Sequence, residues 1–406
     1  MEMHEMKDSG IEWIGEIPKD WKTSYLKYFV RIKSGDSLTK SHLHESAQIP
    51  VIGGGKIIGY TTNFNCDEKN ILIGRVGANC GCVTFLDGKS WATDNALIVS
   101  TNYSKSFLYY LLVAANLNHF NMSNAQPLIT STTIKNLKVV LPSNVERNRI
   151  TNFLDSTCVE IDSIRRDIQS EITILKEYKK SVIYGRITYG INKNSFKHTN
   201  SQYWNKIPTD WKLKKIKYMF GIAKRIAGEE GYDVLSVTQK GIKIKDITNY
   251  VGQQLAQDYS NYQLVYPGDY VMNHMDLLTG WVDLSDKFGV TSPDYRVFEL
   301  KNTKDNEKRY YKYVMQCCYM NRIFYSMGRG VANLGRWRLQ TSSFNNFYVP
   351  VPPYDEQREI ADYLDSKCAE IDSIINDKQK QLVILDEYKK SLIYEYVTGK
   401  KEAPVL

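Results

Sequence analysis

Two stretches of this chain are near-copies of one another. The segment Glu146–Tyr184, containing FLDSTCVEIDSI and ending in LKEYKKSVIY, returns 210 residues later as Glu356–Tyr394, with YLDSKCAEIDSI and LDEYKKSLIY. About 22 of the 39 aligned positions are identical, where ordinary residue frequencies would give roughly two or three. A second echo precedes each copy: Ile17-Pro18-Lys19-Asp20-Trp21-Lys22 recurs as Ile207-Pro208-Thr209-Asp210-Trp211-Lys212, 190 residues on. A tandem duplication organises the chain, and each half holds one kept segment and one diverged segment.

The kept segments read as long helices. Leu154, Ile161, Ile168, Leu175 and Val182 fall every seven residues, with Ile164 and Tyr178 at the intervening position of a heptad seam. The second copy repeats it with Leu364, Ile371, Leu385 and Leu392, and with Ile374 and Tyr388 between them. Lys378 interrupts one seam position. Glu171 and Gln381 interrupt the other while Ile172 and Leu382 stand one place along, so the packing is expected to shift register midway. Pro142 and Pro352-Pro353 act as breakers ahead of the helices. Asp155 and Glu160 towards one end, and Lys179 and Lys180 towards the other, match the helix dipole. At 1.5 Å per residue such a segment is a rod of roughly 58 Å. One such helix would be ordinary core; two near-copies separated by a whole domain are most simply mates in one coiled coil.

The diverged segments, Thr23–Leu141 and Leu213–Val351, read as mixed α/β domains. Strands are predicted at Ile49–Ile58, Ile71–Val76, Cys82–Phe85 and Ala96–Val99 with a helix at Ser106–Ala115. In the second half they fall at Asp233–Val237, Tyr270–Asn273 and Tyr295–Leu300, with a helix at Tyr310–Cys318. The fold class is therefore α+β. The expected order is an arm (1–22), a first domain (23–143), a central helix (144–191), a linker (192–212), a second domain (213–353), a C-terminal helix (354–397) and a tail (398–406). Asn192–Tyr203, rich in Asn, Ser and Lys, reads as the connection between the halves.

Composition supports two real cores: of 406 residues, 42% are hydrophobic and 24% charged. No apolar run approaches the roughly 18–20 residues a bilayer demands, and Met1–Asp8 is polar and charged. Seven cysteines, an odd number without framework spacing, point to a reducing compartment and a cytoplasmic location. A net charge of +8 permits a polyanionic partner.

Catalytic signatures fail on inspection. Gly53-Gly54-Gly55-Lys56 resembles a phosphate loop, but Ile57 follows it and Pro50 stands where an earlier glycine is needed, so a tight turn is expected. Val351-Pro352-Pro353-Tyr354 lacks the asparagine with which amino-methyltransferases accept the target amine's hydrogen bond. Pro293-Asp294 with Glu299 and Lys301 imitates a nuclease signature with too few residues between its acids for two neighbouring strands. Cys80-x-Cys82, Cys317-Cys318 and His42-x-His44 lack the spacing of metal sites, so no metal and no catalytic residue are assigned.

What remains is a binding surface. Lys33, Lys40, His42, His44 and Lys56 surround the first glycine turn, and Arg75 and Asn79 flank Gly77. Asn124, Gln126, Thr130, Ser131, Thr132, Thr133 and Lys135 form a dense hydrogen-bonding stretch. The second domain answers with Thr238, Gln239, Lys240, Asn273, His274, Arg329, Arg336, Arg338, Thr341 and Ser342. Arginine reads guanine, Asn and Gln read adenine, and Lys, Ser and Thr hold phosphates, so two such clusters on tandem domains point to DNA. The alternative is a non-catalytic structural or RNA-binding adaptor that displays two globular heads on a coiled coil.

These words resemble the specificity subunit of type I restriction-modification systems. SGIEWIGEIPKDWK at Ser9–Lys22 looks like the N-terminal signature of that family. ERNRITNFLDSTCVEID and EQREIADYLDSKCAEID resemble its two central repeats, and TSPDYRVF with GRWRLQTSSFNNFYVPVPP resembles one of its recognition-domain types. The resemblance implies two target-recognition domains, each contacting half of a bipartite double-stranded DNA site, and an antiparallel coiled coil of the repeat helices. It implies two modification subunits carrying S-adenosylmethionine and methylating adenine, and two restriction subunits using ATP and Mg2+. This chain itself would be non-catalytic and hold no cofactor.

Overall fold

The computed structural model describes residues 5–44, 46–120, 127–246, 258–330 and 337–404. The chain forms two compact units that do not follow its linear halves. The first comprises Met1–Gln169 with Lys378–Leu406, and the second Ser170–Asp377. The tail and the end of the C-terminal helix thus fold with the N-terminal domain.

In the first unit a four-stranded antiparallel sheet runs in the order Val30–Ser34, Ala96–Thr101, Asn70–Gly74, Val83–Leu86. Strict alternation sends Ile71, Ile73, Leu97 and Val99 to one core and Leu72, Ala96 and Ile98 to a smaller one on the other face. Burial on both faces explains the unbroken apolar runs Ile71–Ile73 and Ala96–Val99 of the two central strands. The larger core also takes helix α1 (Lys105–Ala114), the one-turn α2 (Ser131–Lys135) and the start of α3 (Asn144–Tyr189). The smaller one is closed by the hairpin Ile49–Gly53 with Lys56–Thr61, whose turn is the expected Gly53–Lys56 turn.

The second unit repeats this order with Phe220–Ala223, Arg296–Leu300, Tyr270–Met272 and Val282–Leu284. Its helices are α4 (Ile216–Met219), α5 (Lys308–Met320), α6 (Ile323–Ser326), α7 (Thr341–Asn346) and the start of α8 (Tyr354–Val397). The diverged domains therefore share one topology despite their scant identity. Glu299 is exposed on the interior strand Arg296–Leu300 and pairs with Arg225 at 3.6 Å, a structural use for one acid of the nuclease-like motif.

The stretch expected to be a linker is a folded element. Phe196–His198 pairs with Lys206–Pro208, as Met6–Asp8 pairs with Glu16–Pro18 in the first unit. Trp204 and Trp211 are completely buried there, which anchors the hairpin. Trp21 Nε1 donates to Glu146 Oε2 at 2.7 Å, and Trp211 Nε1 to Glu356 Oε2 at 3.0 Å, so each entry marker is fastened to the first turn of its long helix.

Within each unit the two long helices run antiparallel. Asp162 meets Lys389 and Arg165 meets Asp386 in the first unit, and Lys179 meets Asp372 in the second. Leu154, Ile161, Leu364, Ile371 and Leu392 are buried as expected, while Ile168, Leu175, Val182 and Leu385 are half-buried. Ile164, Tyr178, Ile374 and Tyr388 are instead exposed, at 48%, 48%, 39% and 53%. The intervening seam position is four residues on, not three: Cys158, Ile172, Cys368 and Ile375 are buried there, and Arg165, Lys179 and Lys389 occupy the same position with their charges paired at the rim. Long basic stems can cover a seam while their heads stay in water. Gly190 and Gly399, at φ +70° and +73°, follow the helix ends in the left-handed conformation that terminates a helix. No helix among the described residues is long and apolar enough to cross a membrane, and all seven cysteines are free.

Candidate nucleic-acid interface

Each unit joins two loops that lie far apart in sequence. In the first, the backbone beyond strand Asn70–Gly74 pairs with residues 127–129: Ile129 N donates to Arg75 O at 2.9 Å and Gly77 N to Pro127 O at 3.2 Å. This brings Arg75 and Asn79 beside the stretch that enters α2, where Ser131, Thr132 and Lys135 stand. The glycine turn closes on the same loop. A Cβ on Gly74 would lie 2.5 Å from Gly54 O, and one on Gly55 2.8 Å from Cys82 Cβ, so only glycine permits this approach. Lys56 is exposed at the edge of that turn.

Arg75 Nη1 donates to Ser34 Oγ at 3.1 Å, and the guanidinium has no acidic partner among the described residues. Thr130 is occupied: its Oγ1 accepts from Thr133 N at 3.1 Å and caps α2. Lys33 is exposed on the face that carries Ile98; burial raises the pKa of the Cys66 thiol there, and the Lys33 charge opposes that rise. His42 Nδ1 lies 2.7 Å from Thr39 Oγ1 in an exposed turn. Asn124, Gln126 and the Lys40 side chain lie outside the described residues.

The second unit builds the same junction. Leu339 N donates to His274 O at 3.0 Å and Leu277 N to Trp337 O at 3.3 Å. His274 thus occupies the place of Arg75. Arg329 and Arg338 exchange backbone hydrogen bonds at 3.0 and 3.2 Å, which sets two exposed guanidinium side chains on one ribbon. Trp337 stacks on Tyr325 at 5.5 Å and steadies that ribbon from beneath. Thr341 and Ser342 are exposed in the first turn of α7. Gln239 and Lys240 are exposed at a hairpin turn that Thr238 closes by donating to Gly241 O at 2.9 Å. Arg336 lies outside the described residues.

One expected reader is inside the domain. His274 is 8% exposed, and its pKa falls to about 3, through burial first and then the charges of Arg296 and Arg338. It is a neutral packing group near neutral pH and cannot hold a phosphate as a cation. Asn273 is half-buried, with Oδ1 accepting from Met275 N at 3.3 Å. The residue that orders this junction was missed by sequence reasoning. Arg296 is 4% exposed, donates to Leu339 O at 3.1 Å and Thr341 Oγ1 at 3.3 Å, and lies 4.5 Å from the Phe344 ring centroid. Burial lowers its pKa to about 10, so it remains charged at neutral pH, and it has no acidic partner among the described residues. An arginine directly ahead of the apolar pair Val297-Phe298 was the available signal.

No group of His, Cys, Asp and Glu that could hold a metal occurs among the described residues. The junctions offer guanidinium, ammonium and hydroxyl groups on rigid supports, the equipment for reading base edges and holding phosphates.

The family model described as the type I restriction modification DNA specificity domain matches residues 18–173 and again 208–383. A putative type I restriction enzyme MjaX specificity subunit from Methanocaldococcus jannaschii is 23% identical, over 95% of this chain and 95% of that protein. The type I restriction enzyme EcoprrI specificity subunit of Escherichia coli is 30% identical over 33% of this chain and 35% of its own length. A solved chain from the complex assembly and conformational transition of the type I R-M system superposes with a TM-score of 0.64 at 12% identity, covering 95% of this chain and 99% of that one, which shows a shared fold. Matched twice by the family's domain across most of its length, the chain belongs to the type I restriction-modification DNA specificity family.

Proposed function

We propose that this specificity subunit is the non-catalytic reader of a restriction-modification complex, in which each unit recognises one half of a bipartite double-stranded DNA site. The observation that carries the reading is the repeated junction: one backbone architecture presents Arg75 and Asn79 in one unit and Arg329 and Arg338 in the other. A fixed scaffold with different side chains suits two independent half-sites. The helices, 46 and 44 residues long, then set the unread spacer between the halves.

The same helices seat the modification subunits. Ile164, Ile174 and Tyr178, with Ile374, Ile384 and Tyr388 at the repeat-equivalent positions, are exposed apolar groups on otherwise polar helices. A surface present twice suits two copies of one partner. Those partners would carry S-adenosylmethionine and methylate adenine, and two restriction subunits would use ATP and Mg2+ for cleavage. Exchanging Thr23–Leu141 for the corresponding segment of another family member, then mapping methylation, tests the reading. One half of the methylated site should change. A change in both halves, or methylation of one uninterrupted word, would refute it.

A further inference from the structure

We propose that a second surface in each unit, built on Lys27 and Tyr28 in the first and Lys217 and Tyr218 in the second, grips the DNA phosphodiester backbone without regard to sequence. The inference rests on the DNA-reading function proposed above and divides the labour within each unit.

Four long stretches of the chain that adjoin the junctions carry no acid. No Asp or Glu occurs between Asp20 and Asp36 or between Asp94 and Glu146, nor between Asp210 and Glu229 or between Glu307 and Asp355. These gaps recur at matching places in a chain with 45 acids among 406 residues. In the first unit they hold strand Lys22–Tyr25, the turn Leu26–Tyr28, α2 and strand Lys138–Leu141; in the second, strand Lys212–Lys215, α4, α7 and strand Tyr348–Val351. Elements that carry lysine and no carboxylate attract a polyanion and release its counterions.

The geometry inside this ground is the same twice. The Lys27 ammonium lies 5.1 Å from the Tyr25 ring and 5.3 Å from the Tyr28 ring, and Lys217 lies 5.1 Å from Tyr218. Tyr28 and Tyr218 are 72% and 68% exposed, unusual for tyrosine in a folded domain. Neither lysine has an acidic partner among the described residues. The turn Leu26–Tyr28 packs against α2, and α4 against α7, so each pair adjoins its junction. Lys215 reinforces the second site, 5.4 Å from the Tyr348 ring and 3.3 Å from Asn346 Oδ1.

The contrast between the copies identifies the ligand. Leu26-Lys27-Tyr28 and Ile216-Lys217-Tyr218 keep the Lys-Tyr pair, whereas the junctions replace Arg75 by His274. A pair kept while the reading residues change fits a ligand that is alike at both half-sites. The phosphate backbone has that property and the bases do not.

The test uses the full chain assembled with its modification subunits, and measures binding by anisotropy to a duplex bearing its methylated site and to a scrambled duplex, across a salt series. Lys27→Gln and Lys217→Gln should each weaken both duplexes by the same factor, roughly fivefold to tenfold at 0.1 M salt, and reduce the salt slope by about one. The methylated sequence should stay the same, and Lys27→Arg should restore binding. An unchanged slope overturns the inference. So does an unchanged slope with loss of modification subunits in native mass spectrometry, which would make the surface a protein dock. If Arg75→Ala alters the methylated word while Lys27→Gln does nothing, only this inference falls. If the wild-type assembly prefers no duplex, the reading function falls with it.

Discussion

The Asp162 carboxylate receives the Lys389 ammonium on both oxygens at 2.7 Å, and the repeat-equivalent pair, Asp372 and Lys179, makes the same contact at 2.7 and 2.8 Å. Each helix supplies the acid to one unit and the base to the other, as antiparallel pairing of two copies of one sequence requires. Arg165 lies 3.8 Å from Asp162 and 2.8 Å from Asp386, so Asp162→Lys would gather three cations, two on α3 and Lys389 on α8. We expect that variant to lose about 1 kcal/mol in urea unfolding and Asp162→Lys with Lys389→Asp to recover most of it, the pair being partly exposed. Simple additivity of the two losses would show that the pair contributes nothing.

His274 gives the second unit an acid sensitivity. Its folded value, about 3, lies below the usual 6.5, so the folded chain leaves it neutral where the unfolded chain takes up a proton. Its contribution to stability is complete above about pH 6.5 and is lost progressively as pH falls towards 3. At pH 5 the loss is about 2 kcal/mol. Among the described residues Nδ1 makes no hydrogen bond, so His274→Leu removes the titration and leaves no Nδ1 partner unpaired. Urea midpoints at pH 7 and 5 should converge in the variant; an undiminished difference would assign the acid sensitivity elsewhere.

The duplication was plain in the sequence because about 22 of 39 aligned residues kept their identities, and the helices followed from their apolar spacing. The seam was read one residue short. Position four residues after Ile161 holds Arg165, and four after Leu175 holds Lys179, charged residues that a search for apolar repeats discards, while exposed Ile164 and Tyr178 stand one place earlier. What makes Arg165 and Lys179 fit is their pairing with Asp386 and Asp372, a partnership between distant parts of the chain that spacing does not encode. The junctions were hidden for the same reason. Arg75 and Ile129 each looked like loop residues, and their backbone pairing is a long-range contact. The linker was misjudged because Asn192–Tyr203 is polar, while the buried Trp204 and Trp211 that anchor the hairpin lie just beyond that stretch.

Side chains at the junctions should act on one half-site each. Arg75 is held by a single hydroxyl and Arg338 is exposed on its ribbon, so both keep donors free for a base edge. Arg75→Ala should relax one half of the methylated site and Arg338→Ala the other, each at a cost of about 1–3 kcal/mol in discrimination. Methylation mapping of the two variants checks this. Relaxation of the same half by both would contradict the assignment.

The helices permit a stricter test, because their length can be changed without touching either junction. The compact units change over at Gln169 in α3 and at Asp377 in α8. Seven residues inserted at both points preserve the heptad phase on each side and add about 10 Å of helix. At 3.4 Å per base pair that is about three base pairs. The methylated site should gain about that much unread spacer with both recognised halves unchanged. Insertion into α3 alone should destroy the site, since Asp162 and Lys179 could no longer meet Lys389 and Asp372 in the same register. A spacer unmoved by the paired insertion would mean that the distance between the half-sites is set by something other than these helices.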